Sequence, residues 1–112
     1  MTTFDERERA CEKKFALDEE LRFKVTVRRN RLLGLWAAQI MGMTGSDAEN
    51  YAKSVIKADF ELPGDEDVVR KLYVDFASKN IEQSDEKIRR TMDEMRAEAM
   101  KQVEADAAKA SM

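Results

Sequence analysis

The densest group of side chains with a capacity for chemistry is a run of five bases that no acid interrupts. Its members are Arg22, Lys24, Arg28, Arg29 and Arg31. Guanidinium and ammonium groups bind phosphate and carboxylate oxygens, so this run is a candidate site for an anionic ligand. A run of charge is also typical of a helix face that water solvates. The sequence leaves both interpretations open.

Arg28 is the base whose environment the sequence constrains most. It falls in an apolar stripe, between Val25 and Leu32, where an unpaired guanidinium would cost several kcal/mol. Arg28 must therefore be paired or lie at an open end of the bundle. A carboxylate such as Asp59 or Asp75 is the structural candidate for its partner. A bound phosphate is the functional alternative.

Side chains for catalysis are scarce in this chain. It has no histidine, and Cys11 is its single cysteine. An internal disulfide, a zinc cluster and a Cys–His or Ser–His nucleophile are therefore excluded. We expect no catalytic residue, no metal site and no enzymatic activity.

The charge balance limits the classes of partner. The chain has 20 basic and 23 acidic residues, and its net charge of -3 gives no general attraction to nucleic acid or anionic lipid. The first residues lack the apolar core of a secretory signal, and no stretch approaches the roughly 18 apolar residues of a membrane span. We expect a soluble, intracellular protein that binds no nucleic acid and does not insert into a membrane.

The elements that would position these residues are predicted to be helices. Proline occurs once and glycine four times, and these breakers cluster so that long segments stay uninterrupted. The pattern predicts helices over 15–41, from 46 to about 62, from 65 to about 79 and from 84 onward. Short connections between amphipathic helices favour an all-α, antiparallel four-helix bundle with a long first helix. Within this single domain we expect an arm at 1–14, the bundle at 15–103 and a frayed tail at 104–112.

Apolar residues at helical spacing define the predicted core, with Trp36 as its largest contributor to burial. In the first helix they are Leu17, Leu21, Val25, Leu32, Leu35 and Trp36. In the second and third they are Ala52, Val55, Ile56, Phe60, Val68, Val69, Leu72, Tyr73 and Phe76. In the fourth they are Ile88, Met92, Met95, Ala99 and Val103.

The first residues break this periodicity. If the first helix continued backward, Phe4, Cys11 and Phe15 would form a stripe turned by roughly 80° from its predicted apolar face. Residues 5–14 hold eight charges, four of each sign, and so short and polar a segment is marginal as a helix in water. The arm is either a frayed, solvated extension or a segment that folds when it binds a groove on another protein.

Four strings that follow one another in order identify a family. They are FDERERACEKKFALDEELRFK, RRNRLLGLWAAQIMG, ADFELPGDEDVVRKL and IRRTMDEM. In this order they resemble the zeta subunit of the alphaproteobacterial ATP synthase, over nearly all of residues 1–103. The resemblance implies a four-helix bundle with a mobile amino-terminal arm, and an inhibitor of ATP hydrolysis by the catalytic head of the F-type enzyme.

The resemblance also implies which residues inhibit and what they bind. The inhibitory segment wedges between the catalytic alpha and beta subunits beside the gamma shaft, and hydrolytic rotation draws it in while synthesis releases it. In this sequence it corresponds to Thr2, Thr3, Phe4, Asp5, Glu6, Arg7, Glu8, Arg9, Ala10, Cys11, Glu12, Lys13, Lys14 and Phe15.

Further expectations follow from the same resemblance. It implies weak binding of ADP or ATP by the bundle, a free chain that is monomeric, and a cytoplasmic location at the inner membrane through the synthase. The chain departs from the family where Cys11 replaces an aromatic residue and where Leu17 replaces a common histidine.

Overall fold

A computed structural model describes residues 19–61 and 64–110, and within these ranges every regular element is a helix. The helices are α1 (Glu19–Ile40), α2 (Gly45–Glu61), α3 (Asp65–Ser78) and α4 (Asp85–Ala110). α1 and α3 each pack against both α2 and α4. The predicted all-α four-helix bundle is thus confirmed. None of the described helices is both long enough and apolar enough to cross a membrane.

The helix boundaries follow local chemistry that the sequence shows. α1 stops where Gly42 adopts a positive φ of 81°, and the amide of Met43 then donates to the carbonyl of Ala38. α3 ends in the same way at Asn80, whose φ is 61°, since asparagine tolerates this conformation better than most residues. Ser84 caps α4 as predicted, because its hydroxyl accepts a hydrogen bond from the Lys87 amide at 3.0 Å.

The main core lies between all four helices. Its fully buried members are Leu33, Ala37, Val55, Val68, Val69, Leu72, Phe76, Ile88 and Met92. The predicted core of α3 and α4 is therefore largely confirmed. Two aromatic residues that the sequence assigned to the core are instead half-exposed. Phe60 of α2 is 58% exposed and Tyr73 of α3 is 53% exposed. Each lies at the margin of its helix's buried stripe, where spacing alone does not separate the core from its edge.

The predicted apolar face of α1 is wrong over its second half. Leu33 and Ala37 are fully buried, whereas Leu32 and Trp36 are only partly buried and pack against the margins of the core. The physical reason is that α1 contacts two neighbours at once and approaches them with small and polar side chains. Trp36 meets Phe76 edge-on at 5.7 Å between ring centroids, and Phe76 is the largest apolar side chain among the fully buried ones.

A second, smaller core joins α1 to the end of α4. Val25, Ala99 and Val103 are buried there, with Leu21 and Leu32 packed against them. The helix continues from Val103 through Ala110 and Asp106 binds Arg28 of α1. The helix thus continues over 104–110, where the sequence predicted a frayed tail, and residues 111–112 lie outside the described residues.

Gly34 lets α1 and α2 approach closely. A Cβ atom at this position would lie 2.7 Å from the Cα of Ala52 and 3.3 Å from a methyl group of Val55. The first contact is with backbone, so it can be relieved only by moving one helix away from the other. Gly34 is therefore a packing residue in the middle of a helix that would otherwise favour alanine.

We expect Gly34→Ala to lower the free energy of unfolding. Overpacking costs about 1–3 kcal/mol, while the gain in helix propensity is about 1 kcal/mol, so we expect a net loss of up to about 2 kcal/mol. Urea unfolding measures it. Ala97, exposed in α4, offers the matched control, since Ala97→Gly reports propensity without packing. If Gly34→Ala stabilises the protein by as much as Ala97→Gly destabilises it, the close approach has no energetic consequence.

Candidate functional site

The predicted inhibitory segment, residues 2–15, lies outside the described residues, as does Leu17. The predicted core residues of α1 nearest to this segment, Leu21 and Val25, do pack in the smaller core. The face from which the 80° offset was predicted therefore holds at this end of α1, and the segment itself stays a prediction.

The structure separates the five bases of the predicted anion site. Lys24, Arg28 and Arg31 line one groove between α1 and α4. Arg22 lines a different groove, between α1 and α2, and Arg29 is buried, with 2% of its side chain exposed. The five bases are close in sequence, but one helical turn takes 3.6 residues, so their side chains point to different sides of α1.

The three bases of the α1–α4 groove are each compensated. Lys24 lies 3.5 Å from Glu20, and Arg31 donates to Glu49 at 2.8 Å. Arg28 donates to Gln102 at 2.8 Å and to Asp106 at 3.1 Å. An anionic ligand would have to displace these partners. Arg22 makes no ion pair with any described residue.

Arg28 is paired at the rim, as the sequence allowed, with 34% of its side chain exposed. Its partners are on α4, so the carboxylates suggested for it, Asp59 and Asp75, are wrong. The buried guanidinium is that of Arg29, because the buried stripe of α1 runs through Val25, Arg29 and Leu33 at intervals of four.

Arg29 is the centre of a polar network that joins three helices. Its guanidinium donates to Asp65 of α3 at 2.9 Å and to the neighbouring Asn30 at 2.9 Å. Asn30 in turn donates to Asp59 of α2 at 2.9 Å, which lies 3.9 Å from the guanidinium itself. No buried side-chain nitrogen or oxygen of the described residues lacks a hydrogen-bond partner. The network is thus structural.

Two further polar contacts close the bundle on its other sides. The Tyr51 hydroxyl of α2 donates a hydrogen bond to Asp75 of α3 at 2.7 Å. Burial, and then this hydrogen bond, raises the pKa of Tyr51. Arg89 of α4 binds Glu66 of α3 through two short bonds. These bonds lower the pKa of Glu66 and raise that of Arg89. Glu66 and Arg89 are therefore both fully charged near neutral pH, and their ion pair joins α3 to α4.

The feature that sequence reasoning missed is an exposed aromatic pair. The rings of Phe23 in α1 and Phe60 in α2 lie 5.4 Å apart, and each is more than half exposed. They border the α1–α2 groove of about 300 Å³, which Asn30 and Asp59 also line. The sequence already places Phe23 away from the predicted apolar stripe of α1, so the pair was missed because Phe60 was assigned to the core.

With this geometry established, comparison with known proteins decides the family. A model of the family described as ATPase inhibitor subunit zeta matches residues 1–102. The chain belongs to this family. The match covers the bundle and also the segment that precedes α1.

A solved structure supports the same assignment. It is a solution NMR structure that is 38% identical to the zeta chain, with a TM-score of 0.68. The alignment covers 77% of this chain and 98% of that one. No curated protein matches. Family membership identifies the chain as an inhibitor of ATP hydrolysis that acts on the F-type ATP synthase, which is a regulatory role.

We expect Arg29→Met to lower the free energy of unfolding by roughly 2–4 kcal/mol. Removing one partner of a buried ion pair costs about 3–5 kcal/mol, and the exposure of Asp65, at 59%, reduces this. Arg31→Met is the matched control, because its pair with Glu49 is exposed and such pairs contribute about 0–1 kcal/mol. Urea unfolding of both variants measures the difference. Equal effects would contradict a structural role for the Arg29 network.

Proposed function

We propose that the zeta chain inhibits ATP hydrolysis by inserting residues 2–15 into a catalytic interface between an alpha and a beta subunit, beside the gamma shaft. The single observation that carries this proposal is the family match, which extends over residues 1–102 and so includes the arm. The similarity of the string at residues 4–24 to the zeta family supports the same segment.

The described bundle supports a carrier role for the rest of the chain. Its core is closed, and the buried side-chain polar atoms of the described residues are satisfied. Four of the five bases of the predicted anion site have partners within the bundle. α1 begins at Glu19, four residues after the proposed wedge, so the arm leads directly into a packed helix.

The energetics indicate the kind of groove that the arm requires. Ordering about 14 residues costs on the order of 1 kcal/mol or more for each residue. Burying Phe4 and Phe15 returns only about 1.5–3 kcal/mol for each ring. Two aromatic anchors alone cannot hold the arm, so the groove has to enclose it and also pair its charges. Such an enclosing groove exists only in some states of an enzyme whose interfaces open and close.

Inhibition then needs no chemistry from the zeta chain. A ligand that binds one conformation of an enzyme shifts its population toward that conformation. Hydrolytic rotation would present and then close the interface on the arm, while rotation in the direction of synthesis would open it. Inhibition in one direction of rotation follows from the order in which these states occur.

We expect Phe4→Ala and Phe15→Ala each to weaken inhibition by roughly tenfold or more, since each loses about 1.5–3 kcal/mol of burial. The measurement is ATP hydrolysis by the cognate synthase as the concentration of the zeta chain is raised. Deletion of residues 1–14 should abolish inhibition. Tyr73→Ala is the matched control, because this aromatic side chain is exposed on α3.

The thermal stability of each variant separates loss of binding from loss of folding. The proposal requires nearly unchanged melting temperatures for the two arm variants and for the deletion. Inhibition by the deleted chain equal to that of the full chain would refute a role for the arm.

A further inference from the structure

Two groups of large apolar side chains are exposed on the described part of the bundle. One is the aromatic pair, Phe23 at 52% and Phe60 at 58%, and the other is Tyr73 at 53% with Val74 at 56%. The rings of the aromatic pair contact each other between α1 and α2, so they form one continuous surface. Contiguous exposed apolar surface of this kind marks a contact site more often than isolated exposed residues do.

The two groups lie toward opposite ends of α1. The end of α3 packs beside the second half of α1, because the ring of Phe76 meets that of Trp36. Trp36 follows Phe23 by 13 residues, which is about 20 Å along a helix. Phe23 is instead only about one turn from Glu19, the first residue of α1. The aromatic pair therefore lies at the end of α1 to which residues 1–18 are joined.

Chain length limits how far this end of the bundle can be from the synthase. When residues 2–15 are inserted, Phe15 and Glu19 are joined by four residue steps, which span at most about 14 Å. Phe23 lies about 6 Å further along α1. Phe23 is thus held within about 20 Å of the place where the arm enters the enzyme. Such a tether gives an effective concentration in the millimolar range, so a weak contact is enough to hold the bundle there.

We propose that the aromatic pair is a second anchor on the synthase, which packs against an apolar side chain of an alpha or beta subunit beside the entrance that the arm uses. This inference rests on the proposed function, because insertion of the arm brings the pair to that surface. The two rings border the α1–α2 groove of about 300 Å³, which is at the lower limit of small-ligand sites. A groove of this size suits one or two side chains of a partner protein.

The polar side chains of the groove indicate what should stand next to that apolar side chain. Arg22 lines the groove and makes no ion pair with any described residue. The Asp59 carboxylate already accepts a hydrogen bond from Asn30. Glu19 lies in the first turn of α1, where the helix dipole stabilises an acidic group. The groove therefore offers a base to a partner, and the surface that fits it presents a carboxylate beside its apolar side chain.

Two anchors on one chain make the inhibited state last longer. Because the arm and the aromatic pair are linked, a complex that loses one contact is still held by the other and can form it again. Changes in such an interface act mostly on the rate of dissociation. Loss of the aromatic pair should therefore shorten the inhibited state without preventing insertion of the arm.

The direct test is photocrosslinking of the full-length chain to its synthase during ATP hydrolysis. The photoreactive analogue p-benzoylphenylalanine replaces Phe23 or Phe60, and it replaces the exposed Tyr73 in the matched control. We expect adducts with an alpha or beta subunit from the first two positions, at a clearly higher yield than from the control position. Equal yields from all three positions would overturn the inference. Adducts between two zeta chains in place of adducts with the synthase would also overturn it.

A second test measures inhibition by the double variant Phe23→Ser, Phe60→Ser, with Tyr73→Ser, Val74→Ser as the matched control. The concentration for half inhibition should rise by roughly tenfold relative to the control, through faster dissociation, because the two rings no longer leave water on binding. Inhibition equal to that of the control, or stronger, would overturn the inference. Melting temperatures are measured alongside, and the crosslinking yields decide between the outcomes if the ring variant is unfolded.

The inference and the proposed function can fail separately. If the chain that lacks residues 1–14 inhibits as well as the full chain, the proposed function fails, whatever the crosslinking yields are. If that deletion abolishes inhibition while Phe23 and Phe60 give no excess of adducts over Tyr73, the arm inhibits and the second anchor is refuted.

Discussion

The structure depends on the burial of one charged side chain in α1. The Arg29 guanidinium is satisfied only when α1, α2 and α3 meet at the place where Asn30, Asp59 and Asp65 converge on it. An alternative register of α1 would leave this charge buried and unpaired, which is strongly unfavourable. Gly34, little more than one turn further on, then allows α2 to pack against the backbone of α1. Together these two residues determine how the central helix is oriented.

That orientation determines what α1 offers to the outside. With Arg29 and Leu33 turned inward, Phe23 and Val27 must face solvent, and Lys24, Arg28 and Arg31 lie along the side that meets α4. The exposure of Phe23 is thus a consequence of the same constraint that closes the core. The described residues form a closed bundle. This agrees with the proposal that the bundle holds the arm and that the arm inhibits.

The sequence predicted the helices well and their faces less well. Breakers at Gly42 and Gly64 and the cap at Ser84 are local signals, and they placed the elements nearly correctly. The face of α1 depends on contacts with two partners, which local spacing does not record, so Arg28 was chosen in place of Arg29. An exposed Phe60 was missed because apolar residues at helical spacing were all assigned to the core. The family came from the order of long strings and not from any of these faces.

Hydrogen exchange of the zeta chain, free and bound to its synthase during ATP hydrolysis, tests the central claim most directly. The account predicts new protection of the backbone amides of residues 2–15 on binding, with the core amides of α3 and α4 unchanged. New protection confined to the bundle, with residues 2–15 exchanging as in the free chain, would contradict it.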